Sequence, residues 1–95
     1  MDSKVSKDEL PTEIDRKLRG YDLMLIETQG RYNGESIISE CLVISKEYIS
    51  YSGNRDSLLN VVDAIITEYT EFHEWKYRDK MLGLLNLFKD NLQTV

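Results

Sequence analysis

His73 is the only histidine of the chain and Cys41 its only cysteine, which leaves few residues able to carry chemistry. A zinc-hydrolase helix needs two histidines four residues apart, and "FHEWKYR" supplies one. His73, beside Glu74, therefore reads as a surface residue on a helix turn. Cys41 stands between Glu40 and Leu42, where a neighbouring carboxylate disfavours the thiolate. It reads as a small hydrophobe, reduced and largely buried. Glu68, Glu71 and Glu74 recur every third residue, a spacing that drifts around a helix and describes a solvated face. A hard cation would want an oxygen-rich loop beside them, and none is present. Gly20, Gly30, Gly34, Gly53 and Gly83 are scattered and build no phosphate loop. No catalytic, cofactor-binding or metal-ligating residue is assigned.

Two stretches carry residues suited to binding. "EFHEWKYRD" gathers Trp75, Tyr77 and Arg78, the residue types enriched at interface hot spots and also common as corner fillers. In "MLGLLNLF" the apolar residues exceed one stripe, since Leu82, Leu84 and Leu87 lie outside the row Met81, Leu85, Phe88, Leu92. Surplus apolar surface marks a partner site or a subunit interface. Leu84, Leu87 and Phe88 are accordingly expected to meet a second chain.

The 95 residues suffice for one domain and not for two. Residues 1–10 mix charges with serine and read as a flexible tail, leaving 11–95 as the globular unit. The net charge is −5, and its distribution is uneven. Residues 21–75 hold ten acids against three bases, net −7, whereas residues 76–95 hold four bases against two acids, net +2. An acidic body repels a phosphate backbone, so direct nucleic-acid binding is not expected. No apolar run approaches the roughly 20 residues of a membrane span, and no cationic start precedes an apolar stretch. With the lone cysteine, this places the chain in the cytoplasm.

The elements follow from punctuation and period. "PTEIDRKLRG" predicts a short helix, with Pro11 in its first turn and Gly20 as its stop. Asn33-Gly34 is a strong hairpin signal, and folding there sets Ile26 against Cys41, Leu25 against Leu42 and Leu23 against Ile44. A corner at Lys46-Glu47 then brings Ile44 opposite Ile49. The resulting expectation is an α+β fold with a three-stranded antiparallel meander over 21–29, 36–44 and 48–52. The same residues also support an all-α four-helix bundle, because Ile37, Cys41, Ile44, Tyr48 and Tyr51 follow a 4-3-4-3 spacing. After Gly53, with Asn54 or Asp56 as cap, Leu58, Val62, Ile65, Tyr69 and Phe72 predict a helix facing the sheet. A second helix carries Met81, Leu85, Phe88 and Leu92.

The functional expectation is a small acidic, non-catalytic protein-interaction module, a regulator, inhibitor or accessory subunit that binds through its C-terminal helix. A structural subunit that self-associates into a homodimer is the alternative, followed by a DNA mimic that occupies a nucleic-acid-binding protein.

Overall fold

In the computed structural model, residues 6–71 and 75–95 are described, and within them the chain is helical almost throughout. A 3-10 turn at Lys7–Glu9 leads into α1 (Leu10–Thr28), followed by α2 (Glu35–Ser52), α3 (Arg55–Glu71) and α4 (Arg78–Leu92). No strand occurs among the described residues, so the three-stranded meander is overturned and the chain is a four-helix bundle.

Local signals explain where the sheet reading fails. Gly20 does not stop α1, which runs through it for another eight residues. The helix ends where Gln29 and Gly30 adopt left-handed backbone with φ of 56° and 85°. Gly30 N–H donates to Leu25 C=O at 2.8 Å and Gln29 N–H to Ile26 C=O at 3.3 Å. That pair of bonds is a Schellman stop. Gly34 does need a positive φ, 74°, but it spends that freedom as the N-cap of α2, with Asn33 Oδ1 accepting from Glu35 N–H at 3.0 Å. The Asn-Gly pair thus starts a helix, where a hairpin would have needed positive φ at both residues.

The C-terminal half follows its period. Asn54 caps α3, its Oδ1 accepting from Ser57 N–H at 3.1 Å, and Gly53 closes α2 with φ of 69°. Leu58, Val62, Ile65 and Tyr69 are buried, as are Met81, Leu85, Phe88 and Leu92. They meet helices where a sheet was expected. Phe72 and His73 lie outside the described residues. Leu10, placed in the tail by the sequence, is buried at the start of α1.

The bundle is two helical hairpins, α1 with α2 and α3 with α4, joined through α1 against α3 and α2 against α4. Their common core comprises Ile14, Leu18 and Leu25 of α1, Ile38 and Cys41 of α2, and the two stripes just named. Burying these side chains is worth about 1.5–3 kcal/mol each before conformational entropy is charged.

Candidate functional site

The aromatic corner at residues 75–78 is assembled by the fold and turned inward. The Trp75 ring stands edge-on to Tyr77 at 5.4 Å and to Tyr69 at 6.3 Å. Tyr77 presses on the α1–α2 connection so closely that a Cβ on Gly30 would lie 2.7 Å from its ring. Arg78 reaches back to the Thr70 carbonyl at 3.5 Å. A polar cleft of about 380 Å³ opens here between Trp75, Lys76, Arg78 and Asp79. The three residues chosen from sequence are therefore neighbours, and their rings serve to close the corner.

The α4 trio is divided by the structure. Phe88 is fully buried and Leu84 is 5% exposed, packed where a Cβ on Gly34 would collide with it, whereas Leu87 is 51% exposed. Two of three residues expected to meet another chain instead fill the monomer core. Four packed helices offer α4 more cover than a small sheet would.

Exposed apolar side chains lie on α1 (Leu23 and Ile26), on α4 (Leu87) and on α2, which is the most apolar helix by composition. The α2 helix holds nine apolar residues, of which only Ile38 and Cys41 are buried, whereas α1 and α4 each bury five. Val43 is 67% exposed, and Ile37, Leu42, Ile44, Tyr48 and Ile49 are partly buried against the core. Between α1 and α2 runs a shallow, largely apolar groove of about 310 Å³, lined by Lys17, Glu40, Val43 and Ile44. Lys17 and Glu40 bridge its rim at 3.0 Å. Tyr51, also exposed, donates to Asp8 at 2.9 Å and so belongs to the N-terminal turn.

No family model, curated protein or solved structure matches this chain.

Elsewhere the polar groups are occupied in holding the hairpins together. Arg19 forks from Asp15 at 2.6 Å to both oxygens of Glu68 at 3.0 Å. The bond to Glu68, and then that to Asp15, holds the guanidinium charged even above its ordinary range. The Tyr69 hydroxyl donates to Asp22; burial and that bond raise its pKa. Cys41 is fully buried, and burial pushes its thiol up to about 12, which removes the thiolate a nucleophile would need. Among the described residues no three His, Cys, Asp or Glu side chains converge in a way that could hold a metal ion. No helix is long and apolar enough to cross a membrane, again among the described residues.

Sequence reasoning missed Val43, Ile44, Lys17 and Glu40. Within a sheet, Val43 is an ordinary strand residue. Only a helical reading of 35–52 leaves it outside every apolar stripe.

Proposed function

We propose that this chain is a small non-catalytic association module whose contact surface is the outer side of α2 with the adjoining α1–α2 groove. The observation that carries the proposal is the mismatch on α2, the most apolar helix and the one with the fewest buried apolar residues, Ile38 and Cys41. Partly covered apolar side chains around an exposed valine gain free energy when a partner removes them from water, at about 25 cal/mol per Å². The C-terminal helix retains only Leu87 for such a role. The acidic body disfavours a nucleic-acid partner, and the single buried cysteine suits a reducing compartment such as the cytoplasm.

Affinity capture from the source cell with the tagged full chain, compared with Val43→Asp and Leu87→Asp, tests the assignment. A protein held by the parent chain, lost with Val43→Asp and kept with Leu87→Asp is the expected outcome. Loss with Leu87→Asp alone would move the surface to α4. Loss with neither would refute both.

A further inference from the structure

We propose that α1 carries a second contact surface, on which two copies of the chain pair antiparallel about a two-fold axis level with Tyr21 and Asp22. This face lies apart from the α2 surface and does not depend on it. The helix buries Leu10, Ile14, Leu18, Tyr21 and Leu25, and away from that row it exposes Arg16, Leu23, Ile26 and Glu27, with Leu23 at 64% and Ile26 at 53%. Arg16, Gly20, Leu23 and Glu27 are spaced 4-3-4, as along a seam between two packed helices. Gly20 leaves a notch in this seam, since nothing lies within 4 Å of where its Cβ would stand.

Charge and shape together assign a second copy as the occupant. With the axis so placed, position 20 lies level with position 23 of the other copy, and position 16 with position 27. Leu23 of each copy then enters the notch over Gly20 of the other, and Arg16 of each meets Glu27 of the other at both ends of the contact. Glu27 makes no ion pair among the described residues. Arg16 engages Glu13 through Nη2 alone, at 2.5 Å, and its side chain is 72% exposed, so the rest of the guanidinium is free for a second carboxylate. Diagonally across the seam Leu23 neighbours Leu23 and Gly20 neighbours Gly20. The two-fold axis keeps Ile26 and Arg19 on one side, where the isoleucine covers the apolar stem of the arginine. No like charges oppose each other along the seam. The registers half a heptad away do worse, because one sets Leu23 against Glu13 and the other sets it against Glu27, and both leave Arg16 without an acid.

The contact is small. From Arg16 to Glu27 the seam runs about 18 Å, and one helix face falls short of the roughly 800 Å² per partner of a stable complex, so dissociation in the micromolar range is expected. Sedimentation equilibrium on the purified full chain, from about 1 to about 300 μM to span that range, is the test. The parent chain should show a monomer–dimer equilibrium. Arg16→Glu and Glu27→Arg each change both ends of the dimer and should weaken it about tenfold, while the double exchange should return to within about threefold of the parent. Positions 16 and 27 lie about 16 Å apart along the helix and cannot pair within one chain, so that recovery reports an intermolecular contact. Leu23→Ser should abolish the dimer over the same range. Circular dichroism checks that each variant keeps its helix. A chain monomeric throughout, or a dimer that the double exchange fails to restore, overturns the proposal. A dimer kept with Leu23→Ser and lost with Val43→Asp would also overturn it and place self-association on α2.

Discussion

At the scale of single residues, Gly34 and Cys41 carry the sharpest consequences. Gly34 holds a φ of 74° against Leu84 and Tyr21, so a methyl group there meets both a disfavoured backbone region and an occupied space. Gly34→Ala should cost about 2–5 kcal/mol in urea unfolding, summing left-handed strain of about 1–2 with overpacking of about 1–3. The need for positive φ at this glycine was legible in the sequence; its use was not, because a hairpin turn and a helix N-cap both reward Asn-Gly. Cys41 gives a pH dependence. Its thiol has an ordinary pKa of 9.0 and a folded value of about 12, so the folded state holds the proton more tightly than the unfolded chain. The associated stability is complete below pH 9 and is lost as pH rises from 9 through 12. The thermal midpoint should therefore fall across that window, and Cys41→Ala, at a cost of about 1 kcal/mol near neutrality, should flatten the fall. Tyr69, whose pKa burial also raises, acts in the same direction, so Tyr69→Phe should flatten it further. An equal slope in all three chains would show that neither group is linked to folding.

At the scale of elements, a 3.6-residue apolar period located α3 and α4 well, whereas punctuation and β-propensity misled the reading of α1 and α2. Gly20 lies inside α1 with ordinary helical backbone and no neighbour within 4 Å of where its Cβ would stand, and Gly83 is equally open in α4. A glycine so placed weakens a helix without ending it. Gly20→Ala and Gly83→Ala should each stabilise the fold by about 0.5–1 kcal/mol, read as a rise in the urea midpoint at constant slope. The isoleucines and tyrosines of α2 favour strands by well under 1 kcal/mol each, which burial at Ile38 and Cys41 within a bundle overrides. The candidate site was hidden by the same choice, since Val43 becomes conspicuous only once 35–52 is a helix. On α4 the distinction between core and surface is directly testable. Leu84→Asp should unfold the domain, because it sets a charge at a position 5% exposed, while Leu87→Asp should leave the circular dichroism spectrum intact. Unfolding by both would mean that Leu87 is also a core residue.

At the scale of the whole molecule, Arg19, held by Asp15, latches the two hairpins by charge where it meets Glu68, joining α1 to α3, and Lys89 on Asp63 at 2.8 Å ties α4 to α3 within the second hairpin. These latches leave the excess acid unopposed, and each copy carries a net −5. Two copies brought together along α1 repel through that charge, over about 30 Å at 10 mM salt and about 8 Å at 150 mM. If two copies pair along α1, that association should therefore tighten as salt rises from about 10 to about 150 mM, a range over which the screening length falls below the size of the domain. A basic partner would show the reverse, because salt would screen the attraction between opposite net charges. Sedimentation equilibrium at the two salt concentrations separates the cases by the sign of the change. Weaker self-association at the higher salt would mean that attraction between opposite charges across the contact outweighs the net charge.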